Sequence, residues 1–426
     1  MFENKSPRLP ASHPVSDLTV TADFDGYTFR WSQWAVTVTV ARLVERSGVL
    51  YGEATVRAEV NSQNRLLTQG QVNLSSLQAR ERLAKRLSRL CPGPEWDTVV
   101  ETVCVRTVAL HRQGQPAESL EPQVQDESAC FVCNPLIYDR HPTLLYGPGE
   151  SGKSVFALYV ACLLASGVTS ANLAVAPDGH NVLYLNWEMQ APEMRARVKQ
   201  LRVGHPELTK APLHRFMHLP LAACTPEIRR EIAREQIGVV IIDSLGPATG
   251  GEIERSADPI AFFNALNSLG IASLLIGHIA KPNDEEKART PYGSVYYYNL
   301  ARSIWEVRLV AEPDSDKRNI ALYHRKNNLG RRLSPLGYAL TITDQSARFE
   351  SFDPAEEPEL ARGLSLVERI KRFMADHESR TVQTIAEALG VDTETVGRIM
   401  RRYKGKYWLC LKAGGGRGQE TTWATI

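Results

Sequence analysis

The 426-residue sequence predicts an α/β protein with a mainly parallel sheet at its centre, a small α+β domain before it and a helical module after it. Three observations carry that expectation. Between residues 129 and 352, continuous Val/Ile/Leu runs alternate with helical patterns, as strands buried on both faces do. Across residues 27–60, apolar residues take every second position, the mark of half-buried antiparallel strands. Residues 364–426 carry three short stretches of helical periodicity and a closing hairpin pattern.

Length alone implies two or three domains. Hydrophobic residues make up 43% and charged residues 23%, the proportions of a soluble globular chain. A net charge of +2 means that any nucleic-acid surface has to be local. The start, MFENKSPRLPASHP, lacks an apolar secretory core, and the longest apolar run, 155–168, is too short to cross a bilayer. The reading is therefore a cytoplasmic protein with no membrane partner. Seven scattered cysteines fit reduced thiols, and the lone Cys130-x-x-Cys133 has no second ligand pair nearby that would make a zinc site.

Taken in order, residues 1–16 read as a disordered tail. Residues 17–110 form the small α+β domain, whose strands lead to a helix with Leu77, Leu83, Leu87 and Leu90 at helical spacing and Ser75 or Ser76 as its cap. Residues 111–128 and 353–363, polar and proline-bearing, read as linkers flanking the core of residues 129–352. The core strands are TLLYG, NVLYLNWE, VVIIDS, SLLIGHI, ALYHRKNN and YALTITD.

The chemistry concentrates in the first four. Gly147, Pro148, Gly149, Glu150, Ser151, Gly152, Lys153 and Ser154 match the Walker A pattern, between an apolar strand and the helix that continues with Val155. Glycines let backbone N–H groups turn onto phosphates, Lys153 reaches the β- and γ-phosphate oxygens, and the Ser154 hydroxyl serves Mg²⁺. The helix start adds its positive dipole end. ATP and Mg²⁺ are the expected ligands. Four apolar residues then lead to Asp243, placed to hold Mg²⁺ at the carboxyl end of a strand.

Glu188 ends the strand that follows the phosphate loop, one removed from the Walker B aspartate. A carboxylate there orients the attacking water, the bland alternative being a cap for the helix at 191–201. His278 ends SLLIGH, placed to sense the γ-phosphate or simply to finish a strand.

Together these segments resemble the RecA superfamily, specifically its RepA-like hexameric ATPases and replicative helicases, over roughly residues 130–350. PTLLYGPGESGKS, VLYLNWE, VVIIDSLGPATGG, GHIAK with PYGSVYYYNLARSIWEV, and HRKNNLG stand in that family's order. Glu150 departs from the pattern, an acid where a small residue is common. The resemblance implies ATP hydrolysis at a subunit interface of a homo-oligomer, a hexamer favoured, with Arg325 and Lys326 acting in trans. It also implies that loops after Asp243 and His278, the latter with Lys281, Lys287 and Arg289, face a channel for single-stranded DNA, where Tyr296, Tyr297 and Tyr298 could stack on bases.

The last module looks like a winged helix-turn-helix. One helix carries Leu366, Ile370 and Phe373. A second runs from a Thr381 cap to Gly390. A third starts at Asp392, buries Val396, Ile399 and Met400, and exposes Arg398, Arg401, Arg402 and Lys404. Lys and Arg outnumber Asp and Glu here, and Arg417 lies in a glycine-rich wing that could enter a minor groove. The sequence thus predicts a DNA-associated, ring-forming ATPase of phage, plasmid or mobile-element replication type. The rival is an ATP-switched DNA-binding regulator or loader that does not unwind.

Overall fold

A computed structural model describes residues 17–23, 26–60, 63–114, 130–251, 257–278, 295–311, 315–375, 377, 379–411 and 421–426. The chain divides into two compact units, residues 1–126 with 226–233, and residues 127–225 with 234–426.

The first unit is an antiparallel sheet in sequence order, β1 (Leu18–Asp23), β2 (Gly26–Trp31), β3 (Val36–Arg46), β4 (Val49–Val60) and β5 (Gln63–Asn73), followed by α1 (Leu77–Leu90) and α2 (Trp96–Gln113). Alternate residues Val36, Val38 and Val40 of β3 are buried with Leu87, Val99 and Val103 of the helices, as the period-two pattern requires. Ser76 is the cap of α1, its hydroxyl accepting from Ala79 N at 3.3 Å. Of the four leucines expected on the apolar stripe, Leu87 is buried and Leu83 packs partly against the core. Leu77 and Leu90 stay exposed, so the stripe is narrower than the spacing suggested. The expected linker at 111–128 begins late, because α2 continues through Gln113; residues 115–128, like the 1–16 tail, lie outside the described residues.

The second unit opens with β6 (Phe131–Asn134), β7 (Ile137–Tyr138), β8 (Pro142–Gly147), α3 (Lys153–Ser166), β9 (Ala174–Val175), β10 (Asn181–Asn186), α4 (Ala191–Gly204) and β11 (Leu213–Phe216). It continues through α5 (Leu221–Glu235), whose middle groups with the first unit, then β12 (Ile237–Asp243), α6 (Leu245–Thr249), α7 (Ala257–Ser268), β13 (Ala272–His278) and α8 (Val295–Leu300). β14 (Ser303–Ala311), β15 (Lys317–Asn327), β16 (Leu336–Ile342), β17 (Ala347–Ser351) and α9 (Pro358–Ala361) complete the core. Its nine strands run β11-β10-β12-β13-β8-β14-β15-β16-β17. The first six are parallel and the last three antiparallel. Neighbouring residues Val239 to Ile242 of β12 are all fully buried, so both faces of the sheet are covered. Cys133 lies on β6, and burial pushes its thiol up to about 12, which makes it a core residue rather than a reactive thiolate.

Two expectations need correcting. The glycine-rich stretch after Asp243 does not run straight into a loop: residues 245–249 form α6, with Leu245, Ala248 and Thr249 buried. Residues 353–363, read as a linker, are packed onto the sheet. Leu360 and Leu364 are buried with Ala321 and Tyr323 of β15, and the Tyr323 hydroxyl donates to Leu360 O. Proline and charge marked this segment as a connector, but Leu360 within it and Leu364 just after it had an apolar patch to cover.

The chain ends with α10 (Leu366–Ala375), β18 (Arg380–Thr381), α11 (Val382–Leu389), α12 (Thr393–Arg402), β19 (Trp408–Leu411) and β20 (Thr422–Thr425), the strands ordered β18-β20-β19. Thr381 and Asp392 cap α11 and α12 through Thr384 N and Thr395 N, and Gly390 closes α11 in a left-handed conformation. Ile370, Met374, Val396, Met400 and Trp408 form the buried centre of this module. No helix among the described residues is long and apolar enough to cross a membrane.

Candidate nucleotide site

The carboxyl ends of β8, β13, β12 and β10 converge on one edge of the sheet. β13 separates the strand before the phosphate loop from the strand of Asp243, and its His278 lies level with Gly147. Gly147 has no room for a side chain, since a Cβ would stand 2.7 Å from Val307 O. Gly152 has φ +79°, a conformation that L side chains rarely adopt. Pro148 is half-buried, while Gly149 and Glu150 are exposed at the loop tip, Glu150 with φ 60°. Val155, in the first turn of α3, packs against the central core.

Lys153 opens α3 and is almost fully buried. Its amine donates to Gly147 O at 3.0 Å, to Ser151 Oγ at 3.1 Å and to Pro148 O, while Ser151 Oγ donates to Pro148 O at 2.8 Å. Burial pulls the amine down to about 8, against the opposing charges of Asp243 and Glu188. These loop oxygens are neutral acceptors, so triphosphate oxygens would replace ion–dipole bonds with bonds between opposite charges.

Asp243 is buried at the end of β12. Ser154 Oγ donates to its Oδ1 at 3.2 Å and the Tyr184 hydroxyl to its Oδ2 at 2.7 Å. Burial raises its pKa, and the Tyr184 and Ser154 bonds work against that rise. An all-oxygen donor set of one carboxylate and one hydroxyl fits a hard cation such as Mg²⁺, with Ser154 and Asp243 as the residues to hold it.

Glu188 is nearer to Asp243 than its place in the sequence implied. β10 pairs directly with β12, Asn186 level with Asp243, and Ser244 Oγ donates to Glu188 Oε1 at 2.6 Å. The buried Asn186 holds this turn, its Oδ1 accepting from Glu188 N and Met189 N, each at 2.8 Å. The cap of α4 is formed by Gln190 and Glu193, so Glu188 is not used for that. His278 is exposed at the strand end. Its pKa is lowered by partial burial and then by Lys153, with Glu188 and Asp243 opposing, so the ring is neutral at pH 7. Tyr184, Asn186 and Ser244 escaped sequence reading. The signal was present: positions 184, 186 and 188 alternate toward one face, and Ser244 adjoins Asp243.

Arg325 and Lys326 are engaged within their own chain. Arg325 Nε donates to the buried Glu306 at 2.6 Å and Nη1 to Gly363 O at 3.4 Å, while its guanidinium lies 4.8 Å from the Tyr323 ring centre. Arg308 Nε takes the other Glu306 oxygen at 2.8 Å. Lys326 Nζ donates to Tyr298 O, Asn299 O and Ala301 O at 2.7–2.9 Å, capping the end of α8. Tyr297 is fully buried with its hydroxyl on Thr249 Oγ1 at 3.0 Å, and is therefore core rather than a stacking platform. Tyr296 is exposed on the same helix and Tyr298 half-buried. Lys281, Lys287, Arg289 and Arg417 lie outside the described residues. Arg398, Arg401, Arg402 and Lys404 are exposed along and just beyond α12.

A glycine loop feeding a buried lysine, a carboxylate on a nearby parallel strand and a hydroxyl between them define a domain of the P-loop ATPase type. Residues 123–284 match the family model described as an AAA domain. No curated protein matches the chain.

Proposed function

We propose that the protein is an ATP-hydrolysing, DNA-associated ATPase of the RepA-like kind, working as a homo-oligomeric ring with a hexamer favoured. The carrying observation is the bonded group Ser154–Asp243–Tyr184 with the Glu188–Ser244 pair at the adjoining ends of the same two strands. Lys153 and the loop N–H groups receive the triphosphate. Mg²⁺, held through Ser154 and Asp243, supplies charge neutralisation. Glu188, aimed by Ser244 and by the Asn186 turn, orients the attacking water and takes its proton. His278, level with Gly147, reads the γ-phosphate. Arg325, bound to a carboxylate it shares with Arg308, is the better of the two cations to reach a neighbouring subunit, because Lys326 would have to leave three carbonyls.

The C-terminal module supports the DNA reading through its fold, a winged helix-turn-helix by our assignment, and through Arg398, Arg401, Arg402 and Lys404 on its third helix. Duplex would lie there and single-stranded DNA in the ring. A second reading, an ATP-switched regulator or loader without unwinding, is favoured by one contact: Arg325 is bonded to Gly363 O, at the junction with that module.

The test measures ATP turnover with and without single- and double-stranded DNA, particle mass with nucleotide bound, and separation of forked DNA. DNA-stimulated turnover with strand separation supports the motor. Nucleotide-dependent duplex binding without separation supports the switch, and turnover indifferent to DNA together with no nucleotide-dependent DNA binding defeats both.

A further inference from the structure

Tyr184 is fully buried on β10, between β11 and β12, and the hydroxyl is the one polar atom of its side chain. That hydroxyl donates to Asp243 Oδ2 at 2.7 Å and lies 3.5 Å from Ser154 O. It thus touches both residues that offer oxygens to a cation, one on β12 and one at the start of α3. The ring needs only apolar neighbours, so packing accounts for the phenyl and leaves the hydroxyl unexplained.

We infer that Tyr184 is a positioning residue for the cation site: its hydroxyl occupies Asp243 Oδ2 and fixes the carboxylate rotation, so that Oδ1 stays turned to Ser154, the other residue that would hold the metal. Without it, the carboxylate can turn about its last bond, and the donor pair has to be reassembled each time the cation binds. Partners that orient metal ligands commonly govern affinity by about 10–100-fold. This inference rests on the ATPase reading of the site, and the experiment separates the two.

Binding of a fluorescent ATP analogue is titrated with Mg²⁺ and repeated in excess chelator, for wild type, Tyr184→Phe, Asp243→Asn and the double variant. The expected result is a Mg²⁺ midpoint raised about tenfold or more in Tyr184→Phe, with chelator-state binding unchanged and no added effect of Tyr184→Phe in the Asp243→Asn background. An unchanged midpoint in Tyr184→Phe overturns the inference, as does a shift that persists in the Asp243→Asn background. Wild-type protein that binds nucleotide with no response to Mg²⁺ defeats the ATPase reading itself.

Discussion

Ser244 Oγ donates to Glu188 Oε1 over 2.6 Å, joining the residue after the β12 aspartate to the acid beyond the end of β10. The bond spends one carboxylate oxygen on orientation and leaves the other for a water. Glu188→Gln should therefore bind ATP normally and lose at least about 100-fold in turnover. Ser244→Ala should lower kcat about tenfold, the worth of one hydrogen bond to a charged group, with KM little changed. Steady-state kinetics with a parallel binding titration checks both, and loss of binding in Glu188→Gln would assign that residue a structural role.

Lys153 is buried among loop oxygens, its amine donating to Gly147 O and Ser151 Oγ. Lys153→Ala should abolish nucleotide binding and turnover while leaving the melting temperature within a few degrees of wild type, because the desolvated charge leaves together with its bonds. A variant that hydrolyses ATP at the normal rate would remove this loop from the mechanism.

His324 predicts an acid limb in the stability profile. Its ring stacks on Trp305 at 4.3 Å, Nδ1 accepts from Leu333 N at 3.0 Å and Nε2 lies 3.1 Å from Ser303 Oγ. Burial lowers its pKa to about 4 from the ordinary 6.5. The unfolded chain binds this proton first, so the contribution is complete above about pH 6.5 and is lost as pH falls toward 4. The loss is at most about 3–4 kcal/mol, since each tenfold change in proton affinity is worth about 1.4 kcal/mol. Denaturant midpoints between pH 4 and 7 should show the limb, and a His324→Asn variant should show a shallower one.

Arg325 offers a test of action between subunits. Arg325→Ala should keep ATP binding and lose about 10³-fold in turnover if it serves a neighbouring site. Mixing inactive Arg325→Ala with inactive Glu188→Gln subunits should then restore activity, since some interfaces pair an intact Glu188 with an intact Arg325. A mixture that stays inactive confines Arg325 to its bonds with Glu306 and Gly363.

The strap at residues 353–363 depends on a glycine. A Cβ on Gly363 would stand 2.4 Å from Tyr323 Cζ, so Gly363→Ala should lift the strap. The expected cost is about 1–3 kcal/mol, the usual range for overpacking. Limited proteolysis should then cut near residue 363 faster than in wild type.

The amino-acid order by itself determined the parallel core, the phosphate loop, the strand ending in Asp243 and the caps at Thr381 and Asp392, and it narrowed the cap of α1 to Ser75 or Ser76. Each is written in local patterns, namely apolar runs, glycine spacing and a short polar side chain before a helix. Local pattern could not show that β10 lies against β12, since strand order is a choice among long-range pairings. For that reason Glu188 read as one removed from Asp243 rather than beside it, and Tyr184 read as one more apolar strand residue. The same limit hid the strap, where burial of Leu360 outweighed a proline-bearing sequence, and the bonds that hold Arg325 and Lys326. Only the tertiary structure decided which polar groups meet. A buried hydrogen bond is fixed by packing between segments distant in the chain, 56 residues apart for Glu188 with Ser244 and 89 for Ser154 with Asp243.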